Sequence, residues 1–311
     1  MTLRVINGGV LSLLQDAGRV GHHRLGLANG GPLDAEAFHY CQRLLGNTPF
    51  STLIEISVGG LELEIHTATT LCMTGAPMPL CINGEERDGW TTHRVAPGDS
   101  VSVGFAPRGC RAYLGVRRGF QVKPQFSSTA TVVREGIGGL TGDRLHKGDA
   151  LPYAEETHCP SLTLPPSDRP SYQNQVTVRV IPGYQHREFT RAAKRLFFSA
   201  PYTVTESSDR MGYRLRGPDV ASTRDGILSE GICPGAIQVP PDGQPIVLLN
   251  DRQTIGGYPK LGAALSLDTA RLAQLTPGGI VHFTPISLHT ARRALDLARR
   301  FSLQRSLRAP S

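Results

Sequence analysis

The sequence contains few aromatic residues and no long apolar segment. Only 6% of its 311 residues are Phe, Trp or Tyr, with a single Trp, so we expect cores built mainly from aliphatic side chains. No apolar run approaches the roughly eighteen residues that a membrane-spanning helix requires, and we therefore expect no membrane association. The first residues also lack the pattern of a secretory signal peptide, which predicts a cytoplasmic protein.

The cysteines show no spacing that is typical of a metal or redox site. No Cys-x-x-Cys pair occurs among the six, and the adjacent His22 and His23 have no counterpart at helical metal-binding spacing. We therefore predict no metal site and expect reduced, mostly buried thiols, as is usual in the cytosol. The six cysteines are Cys41, Cys72, Cys81, Cys110, Cys159 and Cys233.

The chain is basic but has no concentrated basic segment interleaved with aromatic residues. It carries 33 Lys and Arg against 26 Asp and Glu, a net charge of +7. Such an excess favours acidic ligands such as nucleotides or carboxylates. Recognition of nucleic acid requires clustered basic residues, so we expect no nucleic acid among the partners.

Glycine and proline are abundant and are spread among short apolar runs. The 35 Gly and 23 Pro predict many short strands that are joined by tight turns. Residues 61–65 alternate strictly between apolar and acidic, which predicts a half-buried strand. Asn83-Gly84 is a strong signal of a β-hairpin.

Four helices are predicted by apolar residues that recur at helical spacing. The first follows Asp34, which is expected in its first turn, and has Phe38, Cys41 and Leu44 on one face. The second covers residues 189–196. Two more are expected over 267–275, with Ser266 as the cap, and over 288–301. The buried face of the last helix is predicted to contain Ala291, Ala294, Leu295 and Ala298.

The two halves of the chain resemble each other weakly and in the same order. The turn at residues 16–21 matches that at 209–212, and residues 74–77 occupy the position of 256–259. Because repeats of this kind indicate a duplicated fold, we predict two related β units. The proline-rich residues 154–174 divide a first unit at 1–153 from a second unit at 175–311.

A polar loop in the second half is the richest candidate for a binding site. Residues 246–249 predict a buried strand, and Asn250, Asp251, Gln253 and Thr254 follow it directly. Gly256 and Gly257 then allow a tight turn or a close approach of backbone to ligand. The loop is either a solvated hairpin turn or a site in which a rigid strand presents polar groups.

These stretches together resemble the family that contains the C subunit of bacterial 5-oxoprolinase. The family is also known as the biotin-dependent carboxyltransferase or allophanate hydrolase subunit 2 family, and includes the protein that antagonises a sporulation-kinase inhibitor. The matching stretches are residues 15–19, 31–34, 44–47, 136–140, 210–215 and 243–259.

The resemblance implies a mainly β fold of two cyclophilin-like β-barrels in an internal duplication, with a few helices. It also implies one component of an ATP-dependent hydrolase that converts 5-oxo-L-proline to L-glutamate only with its partners. Those partners are the B subunit, which resembles the sporulation-kinase inhibitor, and the A subunit, which is of the lactam-utilisation type. ATP with magnesium is then expected at the level of the complex.

Under this interpretation the site residues fall into two groups. Arginine suits bidentate binding of carboxylate or phosphate, and carboxylates serve as bases or magnesium ligands. The catalytic candidates are therefore Asp16, Arg19, Asp34, Arg210 and Asp251, with Arg252 a further anion-binding candidate. The substrate-binding candidates are Tyr213, Asn250, Gln253, Thr254, Gly256, Gly257 and Tyr258. Asn250, Asp251, Gln253, Thr254 and Tyr258 are predicted to line one pocket with Arg210 and Tyr213.

Two other functions are compatible with the same residues. The first is carboxyl transfer from carboxybiotin to urea or another amide-like acceptor, with backbone N–H groups of Gly256 and Gly257 facing the ureido oxygen. The sequence contains no Met-Lys-Met biotinylation motif, so biotin would arrive on a separate carrier. The second is a non-catalytic regulator that binds a histidine-kinase inhibitor.

Overall fold

The computed structural model describes residues 1–156 and 160–309. Backbone contacts divide the chain into two compact units. The first contains Met1–Val20, Gly30–Tyr172 and, among the described C-terminal residues, 305–309; the second contains Gly21–Asn29 and Gln173–Gln304. The predicted boundaries at 1–153, 154–174 and 175–311 stay a prediction, and residues 157–159 of that linker lie outside the described residues.

The first unit is built from eleven short strands in its described residues and one α-helix. The helix, α1, covers Ala35–Leu45. The strands are β1 (Thr2–Gly8), β2 (Leu11–Gln15), β3 (Leu53–Ser57), β4 (Leu61–Ile65), β5 (Thr69–Gly75), β6 (Leu80–Ile82), β7 (Glu85–Arg87), β8 (Thr92–Val95), β9 (Ser100–Val103), β10 (Arg111–Val116) and β11 (Ala150–Pro152).

These strands form two antiparallel sheets around an aliphatic core. One sheet has the order β11-β1-β4-β9-β6-β7 and the other β2-β3-β10-β5-β8. Apolar side chains from both sheets, among them Leu3, Leu63, Ile54 and Leu114, lie in one buried cluster. The apolar face of α1 packs on β5 and β10, because Phe38, Cys41 and Leu44 recur at helical spacing, as predicted.

The second unit contains nine strands and three α-helices in its described residues. The strands are β12 (Gln175–Pro182), β13 (Tyr202–Ser208), β14 (Gly212–Arg216), β15 (Glu230–Gly231), β16 (Ala236–Gln238), β17 (Ile246–Leu248), β18 (Ile255–Gly256), β19 (Lys260–Ala264) and β20 (Ile280–Pro285). The helices are α2 (Arg191–Ser199), α3 (Ser266–Leu272) and α4 (Leu288–Gln304).

Seven of these strands close into a barrel in the order β12-β19-β16-β17-β14-β13-β20. The pairs are antiparallel except for β12 and β20, which run parallel. Strands β15 and β18 form a separate two-stranded ribbon, in which Glu230 pairs with Gly256. The predicted mainly β fold is confirmed, with a closed seven-stranded barrel in this unit.

Several local predictions are confirmed and others are corrected. Asn83 and Gly84 form the two-residue turn between β6 and β7, both with positive φ. Asp34 lies immediately before α1 as its N-cap rather than inside the first turn. Ser266 is the first residue of α3, and Leu265 occupies the cap position without a side-chain bond. The second predicted helix, 189–196, corresponds to α2, which begins at Arg191 and ends at Ser199, and the side chain buried on it is Phe197.

No helix among the described residues is long and apolar enough to span a membrane. The C-terminal helix α4 is amphipathic, but only Ala291 is buried on it. The predicted buried face, which included Ala294, Leu295 and Ala298, is therefore wrong in extent. Leu295 is 38% exposed and the two alanines are half-buried.

Candidate functional site

A polar cluster in the second unit centres on the ammonium group of Lys260. Lys260 opens β19, and its Nζ lies 2.5 Å from Oε1 of Glu230 on β15. The Nζ atom is buried, but its contact with Glu230 lacks the alignment of a hydrogen bond. An ammonium has three N–H donors. Lys260 therefore has donor capacity that Glu230 does not use.

Two residues of the 3₁₀-helix Tyr184–Glu188 hold Glu230 in place. Gln185 donates from Nε2 to Glu230 Oε1 at 2.9 Å and accepts from the backbone N–H of Lys260 at 2.8 Å. The Tyr184 hydroxyl donates to the other carboxylate oxygen. Desolvation acts to raise the pKa of Glu230, but the contacts with Lys260, Tyr184 and Gln185 bring it below its ordinary value. Glu230 is thus held as a carboxylate that fixes the lysine.

Gln238 lies beside Lys260 and is a second buried donor. The two residues are partners in the β16–β19 pairing, and opposite residues of antiparallel strands present their side chains to the same face. Gln238 is 1% exposed, and its Nε2 has no acceptor among the described residues. An unpaired buried polar group costs about 1–3 kcal/mol. Two neighbouring donors of this kind suit the oxygen of a carbonyl or carboxylate ligand.

The glycines of the predicted loop allow β18 to pack closely over this site. A Cβ on Gly256 would lie 2.6 Å from Cδ1 of Ile232 and 2.8 Å from Nε2 of Gln238. A Cβ on Gly257 would lie 3.0 Å from the carbonyl oxygen of Ile227. The space beside both glycines is therefore filled by the chain's own atoms. Nε2 of Gln253 lies 3.6 Å from the same Gly256 position, so two amide side chains converge there.

The remaining loop residues are placed as follows. Thr254 is half-buried, and its carbonyl oxygen accepts a bond from the backbone N–H of Ile232 at 3.0 Å. Tyr258 is 43% exposed. Asn250 is half-buried at the end of the buried run from Val247 to Leu249, which confirms the predicted strand. The loop thus carries solvent-accessible side chains at Asn250, Thr254 and Tyr258.

Three predicted site residues lie in the interior of the second unit. Arg210 and Asp251 form a buried bidentate ion pair, with Nε–Oδ2 and Nη2–Oδ1 distances of 2.8 and 2.9 Å. Tyr213 is 2% exposed, and its hydroxyl lies 3.1 Å from the carbonyl oxygens of both Ala273 and Leu275. These contacts tie the elements of the barrel together.

Arg252, the further anion-binding candidate, is also buried. It is 2% exposed and donates to the carbonyl oxygens of Ile232 and Leu249 and to Oδ1 of Asn29, at 3.2–3.3 Å. Desolvation lowers the pKa of its guanidinium. His23 contacts the same Asn29 oxygen at 2.6 Å. The guanidinium of Arg252 therefore donates its hydrogen bonds to groups of the chain itself.

Asp16 and Arg19 in the first unit fasten one loop. The Asp16 carboxylate accepts bonds from the Ser128 hydroxyl at 2.6 Å and from the backbone N–H of Thr129 at 2.8 Å. Arg19 donates to the carbonyl oxygens of Gln125 and Ala130 at 3.2 and 3.0 Å. Both contacts reach more than 100 residues along the chain, so this predicted pair connects β2 to residues 125–130.

Asp34 caps α1 and holds a buried tyrosine. Its Oδ1 accepts from the backbone N–H of Ala37 at 3.0 Å, and its Oδ2 accepts from the Tyr172 hydroxyl at 3.0 Å. Burial, followed by the Asp34 charge, raises the pKa of Tyr172 well above its ordinary value. Tyr172 also lines a cleft of about 930 Å³ in the first unit, together with Trp90 and the ion pair of Asp88 and Arg169.

The matching family model is that of the carboxyltransferase domain, subdomains A and B, and it covers residues 25–285. The chain belongs to this carboxyltransferase-domain family. It is 35% identical over 302 residues to the C subunit of 5-oxoprolinase from Escherichia coli, covering 96% of each chain. It is 32% identical to the protein of the same name from Haemophilus influenzae, with 90% of each chain covered.

A solved structure shows the same carboxyltransferase-domain fold. The crystal structure of the K. lactis urea amidolyase matches 97% of this chain with a TM-score of 0.90 and 27% identity. The chain spans 20% of that much longer protein. The family prediction is confirmed, and the likeness extends to proteins that are named for two different reactions.

The sequence did not single out the Lys260 cluster of this carboxyltransferase-domain protein. Tyr184, Gln185, Glu230, Gln238 and Lys260 come from four separate segments of the chain. One signal was present, because Gln238 stands in an otherwise apolar run. A polar side chain in a buried strand needs a hydrogen-bond partner, so Gln238 was recognisable from the sequence as a candidate, whereas its cross-strand neighbour Lys260 was not.

Proposed function

We propose that this chain is the C subunit of an ATP-dependent 5-oxoprolinase, which hydrolyses 5-oxo-L-proline to L-glutamate. The observation that carries the proposal is the 35% identity to the C subunit of the E. coli 5-oxoprolinase over 96% of both chains. A match of that extent includes nearly every described element of the two units. The catalysed reaction then belongs to the assembled enzyme, with the A and B subunits as partners in the cytoplasm.

The Lys260 cluster supplies groups that this chemistry requires. The substrate carries a lactam carbonyl and a carboxylate, both of which accept hydrogen bonds. Because the amide is a poor electrophile, attack on it needs donors that stabilise negative charge on the oxygen. Gln238 and Lys260 are buried donors held in a fixed position by strand pairing and by Glu230. We assign them to the substrate oxygen, with Gln253, Thr254 and Tyr258 at the rim.

The proposal assigns no metal-dependent step to this chain. ATP-dependent turnover requires ATP with magnesium in the complex, and magnesium prefers oxygen ligands such as carboxylates. Among the described residues there is no group of three or more His, Cys, Asp and Glu side chains that could hold a metal ion. The carboxylates of Asp251 and Asp16, which would otherwise be candidate magnesium ligands, are bound by Arg210 and by Ser128.

A second candidate function is carboxyl transfer from a biotin carried by another protein. The match to the K. lactis urea amidolyase with a TM-score of 0.90 favours it. The amide donors of the Lys260 cluster suit the oxygen of an amide-like acceptor equally well. The space on the Cβ side of Gly256 and Gly257 is filled by Ile232, Gln238 and Ile227, and no step is assigned to a ureido ring there.

The two functions are separated by reconstituting the complex and measuring its products. We expect ATP-dependent release of glutamate from 5-oxoproline when the A and B subunits are added, and none from the chain alone. Robust turnover by the chain alone would refute the requirement for partners. Release of carboxylated product that depends on a biotinylated carrier would instead support the second function.

The site is tested in the same assay with Gln238→Leu and Lys260→Met. Each removes a donor while keeping a side chain of similar size. We expect at least a tenfold loss of kcat/KM, which corresponds to about 1.4 kcal/mol in the barrier. Lys147→Met is the control, because Lys147 is an exposed lysine in the first unit. Unchanged activity in both site variants, with intact assembly, would reject the site.

A further inference from the structure

Two segments of the second unit, residues 225–231 and 253–258, cover the donors of the Lys260 cluster. They pair with each other through β15 and β18, and we call the two segments together the flap. The Nζ of Lys260 and the Nε2 of Gln238 lie against the flap, and both atoms are buried. A Cβ on Gly256 would lie only 2.8 Å from that Nε2, so the backbone of β18 blocks the way to it. A ligand oxygen therefore reaches these two donors only after the flap has moved.

The flap is weakly packed. None of its residues is buried, whereas Ile232, Arg252 and Pro259, which directly adjoin it, are buried. Two of its apolar side chains face solvent, since Leu228 is 93% exposed and Ile255 is 61% exposed. Segments with few buried contacts open locally at a low free energy, while the core around them stays folded. The packing therefore allows the flap to open without unfolding the barrel.

The ends of the flap, in contrast, are fixed to the unit. Arg252 donates from Nε to the carbonyl oxygen of Ile232 at 3.2 Å, which holds the ends of both segments together. Before the first segment, the backbone N–H of Thr223 donates to the carbonyl oxygen of Glu188 at 2.8 Å. After the second segment, the buried Pro259 leads into β19. Movement is thus confined to the flap itself.

A single side chain ties the flap to the rest of the unit. In the part of the chain that the structure describes, Glu230 is the one flap residue whose side chain forms a hydrogen bond or ion pair outside the flap. Its partners are Tyr184, Gln185 and Lys260. The Glu230 side chain is 30% exposed, so water competes for the same carboxylate. One accessible carboxylate therefore decides whether Lys260 is covered.

We propose that the flap is a lid over the Lys260 cluster and that Glu230 is its latch. When Glu230 releases its partners, the flap lifts and admits a ligand oxygen to Lys260 and Gln238. When Glu230 returns, the flap closes over the site and excludes water, as lids of active sites do. The identity of the ligand, a compound with a carbonyl and a carboxylate, rests on the function proposed above. The movement of the lid is a property of this chain by itself.

The test measures the access of acetic anhydride to Lys260 in the full chain, without substrate or partner subunits. The sequence contains four lysines, Lys123, Lys147, Lys194 and Lys260, so peptide mass spectrometry resolves the acetylation rate of each. Rates measured over a range of pH separate the accessibility of each amine from its pKa. With both amines deprotonated, we expect Lys260 to react about tenfold or more slowly than the exposed Lys147, because a covered amine reacts only in the open form.

The latch is tested with Glu230→Gln and with Tyr184→Phe. The first substitution removes the carboxylate charge, and the second removes one hydrogen bond to Glu230 without changing any charge. We expect both to raise the acetylation rate of deprotonated Lys260 by about threefold or more, because the open form becomes more populated. The rate at Lys147 should stay the same in both variants.

Two controls separate the latch from general effects. Glu206→Gln removes the same charge from an exposed position on β13, and Thr190→Ala weakens the cap of α2. A wild-type Lys260 that reacts as fast as Lys147 would overturn the lid. Rates at Lys260 that do not respond to the latch variants, or that rise equally in the controls, would overturn the role of Glu230. Each of these outcomes leaves the proposed hydrolysis untouched, because that reaction is measured separately in the reconstituted complex.

Discussion

The guanidinium of Arg210 and the carboxylate of Asp251 form a buried, two-bonded ion pair that closes the turn after β17 against the turn after β13. The side chains are 6% and 8% exposed. The backbone repeats the contact, since Asp251 N–H donates to the Arg210 carbonyl oxygen at 3.0 Å. Each residue neutralises the other in the interior, so the pair fixes where the polar loop 250–258 begins.

Replacing either member of this pair should destabilise the protein strongly. Arg210→Ala leaves the Asp251 carboxylate buried without its main partner, and a broken buried pair costs about 3–5 kcal/mol. The free energy of unfolding from urea titration measures the loss. The double variant Arg210→Met/Asp251→Leu removes both charges, and we expect it to be more stable than Arg210→Ala. A loss below about 1 kcal/mol, with activity abolished, would favour the catalytic role predicted from sequence.

Local elements of the fold were predictable because their signals lie close together in the chain. Helix α1 needs only the cap at Asp34, the spacing of Phe38 and Leu44, and Gly46, which ends the helix at φ 60°. The hairpin at Asn83-Gly84 is likewise complete within a few residues. Each signal acts through backbone geometry or periodic burial, which does not depend on the rest of the fold.

The Lys260 cluster was not predictable, because it depends on strand register. Gln238 and Lys260 are cross-strand partners at a point where the pairing of β16 and β19 shifts. A shift of one residue sends a side chain to the opposite face of the sheet. The sequence predicted a tight turn or a close approach of backbone to a ligand at the neighbouring glycine loop. It did not indicate that the approaching groups would be Ile232 and Gln238 of the same chain.

Substitution of Gly256 should disturb the site, whereas substitution of Gly231 should not. Gly256→Ala places a methyl group against Ile232 and Nε2 of Gln238 at 2.6 and 2.8 Å. Overpacking of this kind costs about 1–3 kcal/mol and moves the Gln238 amide. Gly231 is in the partner strand β15, with no atom within 4 Å of its Cβ position. Thermal melting and the reconstituted assay should both separate the two variants, and equal effects would refute this packing.

The ion pair of Glu230 and Lys260 should make stability depend on acidity. Desolvation acts to raise the pKa of Glu230, but its contacts with Lys260, Tyr184 and Gln185 lower that pKa from its ordinary value of 4.5. The contribution of Glu230 to the free energy of unfolding is therefore fully present above pH 4.5. It is lost as the pH falls through the lower folded-state value. Glu230→Gln should therefore be less stable than wild type near pH 7, with a difference that shrinks toward about pH 3. Urea titrations at both pH values give the comparison, and a difference that grows on acidification would contradict it.

Removal of Asp34 should weaken the protein through α1 and Tyr172. Asp34→Ala deletes the N-cap, which is worth about 1 kcal/mol, and leaves the Tyr172 hydroxyl, which donates to it at 3.0 Å, without that acceptor. Thr190→Ala is the control, because Thr190 caps α2 through the N–H of Ala193 at 3.1 Å without holding a buried group. Asp34→Ala should lower the free energy of unfolding more than Thr190→Ala, and Tyr172→Phe should recover part of the difference in the double variant.

If Asp34 instead acts as a base, Asp34→Asn should keep the cap and the melting temperature while the complex loses at least tenfold in kcat. An Asp34→Ala variant that melts normally and turns over normally would remove Asp34 from both roles.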